Sequence, residues 1–193
     1  VYFVDIPDVL SSARELSVSQ GVSASKNGVG NFGAGILINN LDVEQTQPGA
    51  SLQLDGGSFH TAKLVAKAYT GLINGRFTSA IRVSRMHSDG YIQRSASDLN
   101  SLQWTSAYHF SDRTQLVFNY MDGHEKTGQA WDGVPQDSLK TNRTYNELGL
   151  INDGSYYGNQ TDNYTQHYYQ LFLDHKINSH VSIGTTLYYT KGK

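Results

Sequence analysis

Three glycines at the spacing Gly28-x-Gly30-x-x-Gly33, inside NGVGNFGAG, are the residues that most directly suggest chemistry. With this spacing a strand-to-helix turn can bring backbone N–H groups up to a pyrophosphate. That chemistry needs a helix directly after the glycines, because its N-terminal amides and dipole hold the phosphate charge. After Gly35 the chain runs Ile36-Leu37-Ile38-Asn39-Asn40, a largely β-branched run with no 3.6-residue apolar spacing. No series of βαβ units follows. Gly28, Gly30, Gly33 and Gly35 are therefore expected to serve tight turns and close backbone packing between strands. No dinucleotide or other cofactor is expected.

The remaining chemistry-bearing residues form no reaction centre. The seven histidines (His60, His87, His109, His124, His167, His175 and His180) are scattered, and no compact ligand set suggests a metal. Ser, His, Asp and Glu occur without the spacing of a triad or carboxylate pair, so no enzyme is expected. Asn142, Asn159 and Asn163 each open an N-x-T sequon, a glycan acceptor only in a secreted eukaryotic protein. The stretch 123–163 is rich in Asn, Asp, Gly and Tyr and carries Trp131, Tyr145, Tyr156 and Tyr157. Aromatic rings among amides on a loop suit capture of a small-molecule ligand. They suit a solvated cover equally well.

Composition sets the frame for these residues. The chain has 193 residues, a formal net charge of −2 and no cysteine, which argues against a nucleic-acid binder and excludes disulfides and thiolate metal sites. Only 38% of residues are hydrophobic, yet there are 13 Tyr and 19 Gly, a richness in rings that disordered chains lack. No apolar run is long enough for a transmembrane helix. VYFVDIPDVLSS has no basic leader, and the chain starts as a fragment would.

The elements that must position these residues follow a period of two. In TAKLVAKAYTGLI, Ala62, Leu64, Ala66 and Ala68 alternate with Lys63, Val65, Lys67 and Tyr69. RFTSAIRVSRM, LQWTSAYHF, TQLVFNYM, HYYQLFLDH and VSIGTTLYYT alternate in the same way. Each spells an amphipathic strand of about 9 to 13 residues, a length that suits a tilted membrane strand. Connections alternate too: tight at Asn74-Gly75, 111–113 and 178–180, long at 88–98 and 123–163. Short turns at one rim and long loops at the other describe an outer-membrane β-barrel. Phe77, Phe110, Tyr120, Tyr164 and Tyr189 are expected at its interfacial girdles. Leu64, Ile81, Val83, Leu102, Leu116, Leu171 and Ile183 are expected to face lipid, and Lys63, Lys67, Arg82, Gln103 and His109 the lumen or the plug. A soluble all-β binding module, such as an adhesin or carbohydrate-binding domain, accounts for the alternation but not for strand length with loop asymmetry.

The opening segment VYFVDIPDVLSSARELSVSQGVSASKNGVGNFGAGILINN resembles the end of the plug of a TonB-dependent outer-membrane receptor. GSFHT, SDGYIQRSASDL, KTGQAWDGVP, LKTNRTYNELG and NQTDNYTQHYYQLFLDH resemble the first barrel strands and loops of such receptors from Bacteroidetes-type bacteria. The resemblance implies an all-β fold: residues 1–45 as the C-terminal part of the plug, then 46–193 as about seven antiparallel strands of an incomplete transmembrane β-barrel. It implies a Gram-negative outer membrane, lipid around the barrel, and uptake of a scarce nutrient such as a siderophore, cobalamin or glycan. It further implies energy from TonB, through a coupling segment expected before Val1, and about 22 strands in the whole barrel.

Overall fold

The computed structural model describes residues 5–21, 33–39 and 45–193. The chain is nearly all β. A 3-10 turn at Val9–Ser12 leads into β1 (Glu15–Gln20), which pairs antiparallel with β2 (Ala34–Asn39). Seven further strands follow: β3 (Gly49–Gly57), β4 (Thr61–Tyr69), β5 (Phe77–Ser88), β6 (Ser97–Ser111), β7 (Thr114–Gly128), β8 (Thr161–Lys176) and β9 (Ser182–Gly192). They form one antiparallel sheet in strict sequence order, a meander with β3 and β9 at its edges.

Alternation along each strand decides which face meets what. On β6, Leu99, Ser101, Gln103, Thr105 and Ala107 are all buried, whereas Trp104 and Tyr108 between them are exposed. Register carries the same division across the sheet: Ile81 lies opposite Trp104, Trp104 opposite Tyr120, Tyr120 opposite Tyr169, and Tyr169 opposite Tyr189. Trp104 meets Phe118 edge-on with ring centroids 5.5 Å apart, and Tyr120 meets Tyr169 at 4.9 Å. Apolar and aromatic side chains thus dominate the exposed face, and polar ones, with a few small or aliphatic residues such as Val65 and Ala107, the buried face. This inverts the arrangement of a water-soluble sheet, whose apolar face is the buried one.

The polar face is packed rather than solvated. Gln103 and Thr105 are 4% and 2% exposed, and Asn119 is fully buried. Asn119 Oδ1 accepts hydrogen bonds from Thr105 Oγ1 (2.8 Å) and Gln103 Nε2 (3.2 Å), and its Nδ2 donates to Gln170 Oε1 (2.8 Å). A buried polar group costs little once it is bonded, so this ladder holds β6, β7 and β8 together from inside.

The turns follow their residue types. Asn74 and Gly75 have φ of 49° and 67°, the left-handed pair that matches the twist of a tight hairpin. Asp112-Arg113 and 177–181 join the next pairs at the same rim. At this rim the Leu72 N–H also donates to the Thr46 carbonyl (3.1 Å), so the chain enters β3 from the tight-turn side.

Four details depart from the sequence-based expectations. β3 is a strand that periodicity alone did not pick out. Its connection to β4, Ser58–His60, is short although it lies at the long-loop rim, so loop lengths do not alternate strictly. β6, β7 and β8 run to 15, 15 and 16 residues, which confines the two long loops to 89–96 and 129–160. Tyr164 points inward rather than to a girdle: it lies opposite the buried Glu125 and donates to Gln166 Oε1 at 3.2 Å.

Candidate functional site

At the long-loop rim the sheet carries a brace built from one amide. Asn146 is 4% exposed. Its Nδ2 donates to the carbonyls of Gln93 and Gln129, each at 2.9 Å, and its Oδ1 accepts from the Leu148 N–H at 3.0 Å. A side-chain amide can replace a backbone partner in this way, so one residue from the middle of the 129–160 loop ties the 89–96 loop to the start of the 129–160 loop. The Gln93 N–H adds a bond to the Thr144 carbonyl (2.8 Å). Gly128 makes room for the crossing: a Cβ there would fall on the backbone of Arg94 and Ser95.

Arg94, in the left-handed region at φ 58°, is held by the same brace. Its guanidinium donates to the carbonyls of Asn146 and Leu148 and lies over the Tyr156 ring, 3.5 Å from the centroid. A cation over an aromatic face is attracted by the ring quadrupole and fixes the ring's orientation. Tyr156 and Tyr157 close a small hairpin, where the Tyr157 N–H donates to the Gly149 carbonyl (2.7 Å) and Leu150 bridges to Tyr156. Beside it opens a cleft of about 290 Å³ lined by Arg94, Asp98, Lys126, Tyr156, Tyr157 and Gln160. Burial, reinforced by the neighbouring Tyr156, raises the Tyr145 hydroxyl above its ordinary pKa.

Of the four aromatics singled out in the sequence, Tyr156 and Tyr157 line this cleft and Tyr145 stands against Tyr156. Trp131 does not join them and is 69% exposed. Arg94, Lys126 and Asn146 were not picked out. Only cross-loop bonds reveal Arg94 and Asn146, which are 52 residues apart, and only the cleft lining reveals Lys126.

The glycine cluster divides differently. Gly28 and Gly30 lie outside the described residues. Gly35 lies in β2, opposite Ser19, so the run after Gly33 is a strand and offers no helix N-terminus to a pyrophosphate. At Gly33 an added Cβ would meet no described heavy atom within 4 Å. Close packing is found at Gly123 on β7, where a Cβ would strike the Asp5 carbonyl oxygen and Pro7 Cδ of the inner segment.

The inner segment is anchored a few residues later. Asp8 accepts from Lys63 Nζ (2.5 Å), from Ser11 Oγ (2.5 Å) and from Arg82 Nη1 (3.3 Å). Lys67 Nζ donates to the Ser11 carbonyl, and Arg82 Nη1 also reaches Ser101 Oγ at 3.0 Å. Burial alone would raise the Asp8 pKa, but hydrogen bonds from Lys63, Ser11 and Ser84 and the Lys63 charge outweigh it and hold the carboxyl below its ordinary value. Among the described residues no group of His, Asp and Glu has the geometry of a metal site. His60 and His87 instead share Asp89, with His60 Nδ1 2.5 Å and His87 Nε2 3.3 Å from it.

No family model and no curated protein sequence matches the chain. Solved structures do. The chain is similar to the ferric-catecholate import receptor Fiu from E. coli K12 in its open form (TM-score 0.71, 13% identity) and its closed form (TM-score 0.74, 16% identity). It is also similar to the siderophore receptor PiuA from Acinetobacter baumannii (TM-score 0.70, 16% identity). Each match covers 93% of this chain but only 26 to 28% of the receptor. The chain therefore has the all-β fold of about a quarter of such a receptor, an inner segment followed by seven antiparallel strands of its barrel.

Proposed function

We propose that this chain is the plug-to-barrel part of an outer-membrane receptor that takes up a scarce nutrient, with a siderophore as the leading cargo. The carrying observation is the inverted sheet: apolar and aromatic side chains face outward, while the polar face is closed by an inner segment clamped through Asp8. Lipid accepts the first face, and only a filled lumen accepts the second. In this reading 1–45 is plug and 46–193 is barrel wall. The rim of Asn74-Gly75 faces the periplasm, and the 89–96 and 129–160 loops face outside. The fold likeness to receptors for ferric catecholates and siderophores supports cargo of that kind over cobalamin or glycans. Tyr145, Tyr156 and Tyr157, with Arg94, offer rings and a cation to it. The protein transports rather than catalyses, and TonB supplies the work that moves the plug.

Fractionation and binding test this reading. The full-length protein in a Gram-negative host should require detergent for extraction. Tags at residue 152 should be labelled on intact cells, and tags at 75 only after permeabilisation. A ferric catecholate should quench its intrinsic fluorescence saturably, and less so in Tyr156→Ala. Recovery in the soluble fraction, or labelling at 75 alone, would overturn it.

A further inference from the structure

Between the inner segment and the wall lies a cavity of about 380 Å³, bounded by Ser11 to Arg14 on one side and by β4, β5 and β6 on the other. Among the described residues Arg14, Lys67 and Arg82 line it, and no carboxylate does. The wall beside it holds the Asp8 cluster, where one carboxylate serves both Lys63 and Arg82. Lys67 gives its bond to the Ser11 carbonyl, an uncharged acceptor. Arg82 is 5% exposed, and its Nε is buried without a hydrogen-bond partner. A guanidinium holds an oxyanion best when Nε and a terminal nitrogen donate side by side. Here one Nη1 bond is taken by Asp8 and the Nε donor is unused.

We propose that this cavity is a site for a small oxyanion, a carboxylate or phosphate carried by a solute in the lumen, with Lys67, Arg82 and the Ser12 hydroxyl as its donors. Asp8 occupies the adjoining half of the same cationic patch as an internal anion. A solute anion and Asp8 therefore compete for Arg82. The source of the solute rests on the uptake reading; binding at the site does not. The volume exceeds what free phosphate requires, which favours a group carried on a larger body.

The test uses the full-length protein in detergent, with inorganic phosphate and phenyl phosphate as probes, read by calorimetry and by ³¹P line broadening. Both should bind saturably, phenyl phosphate the more tightly. Lys67→Gln should weaken each about tenfold, the value of one charge-assisted bond of roughly 1.4 kcal/mol. Asp8→Asn should tighten each, because it frees Lys63 and Arg82. The opposite signs guard against misfolding, which would weaken both variants. Three results would overturn the site: no saturable binding in wild type and Asp8→Asn, equal binding in wild type and Lys67→Gln, or phosphate binding with phenyl phosphate excluded. Phosphate binding without ferric-catecholate binding would retain the site while removing the siderophore reading.

Discussion

The Asp8 carboxylate and the Arg82 guanidinium, 74 residues apart in the chain, meet at 3.3 Å on the buried face of the sheet. Lys63 reaches the same carboxylate from the neighbouring strand, so a single acid on the inner segment is shared by β4 and β5. Removing one partner from a buried ionic cluster leaves charge without compensation, at a cost of about 3 to 5 kcal/mol. Asp8→Ala should expose residues 5–21 to protease while the sheet keeps its resistance to SDS at room temperature. Unchanged protection would show that the cluster does not hold the segment.

The same anchor has a pH signature. Asp8 is held below its ordinary value of 3.8, so its contribution is complete above about pH 4 and is lost as pH falls through the lowered pKa. Hydrogen exchange of the inner segment, after correction for intrinsic rates, should show a step upward as pH falls below about 4. In Asp8→Asn the corrected profile should show no such step.

Gly123 and Gly33 should respond in opposite ways to one methyl group. Gly123→Ala drives a Cβ into Asp5 and Pro7 and should cost about 1 to 3 kcal/mol of seating energy, seen as lost protection near residue 5. Gly33→Ala should be tolerated, because no described atom stands in the way.

Outward and inward positions fail for different reasons. Ile81→Arg places a charge in the lipid-facing band and should lower barrel stability by about 2 to 4 kcal/mol in urea titrations in bilayers. Thr105→Val keeps the volume but removes a donor to the buried Asn119 and should cost about 1 to 3 kcal/mol. A loss in Thr105→Val that Asn119→Leu does not add to would place the two residues in one network.

Asn146→Ala should separate the two rim loops without loosening the sheet. It strips the Gln93 and Gln129 carbonyls of their shared donor and releases the strap on which Arg94 and Tyr156 are posed. Ferric-catecholate affinity should fall about tenfold or more with the unfolding midpoint unchanged, taking the loss as one or two such bonds.

What could be read from the sequence was whatever repeats. The outward residues of β4 to β9 are mostly apolar, and a period of two exposes that directly. β3 was harder: Leu52 and Leu54 do alternate, but Gly49, Gly56 and Gly57 weaken the signal. Tyr164 was misplaced because a tyrosine near a strand end fits a girdle or a lumen equally, and only its register with Glu125 decides. The Asp8 cluster and the Asn146 brace could not be read at all. Each joins residues more than fifty positions apart, and no local spacing encodes which distant carbonyl or cation a side chain will meet.

The buried ladder around Asn119 gives the inner wall two unlike territories. Across β6, β7 and β8 the polar side chains Thr105, Gln103, Asn119 and Gln170 bond one another, so departure of whatever rests against them strands no donor of that ladder. Along β4 and β5 the wall's cations lean on the inner segment itself. Displacement therefore leaves the β6 to β8 ladder bonded to itself and strips β4 and β5 of the one acid that Lys63 and Arg82 share.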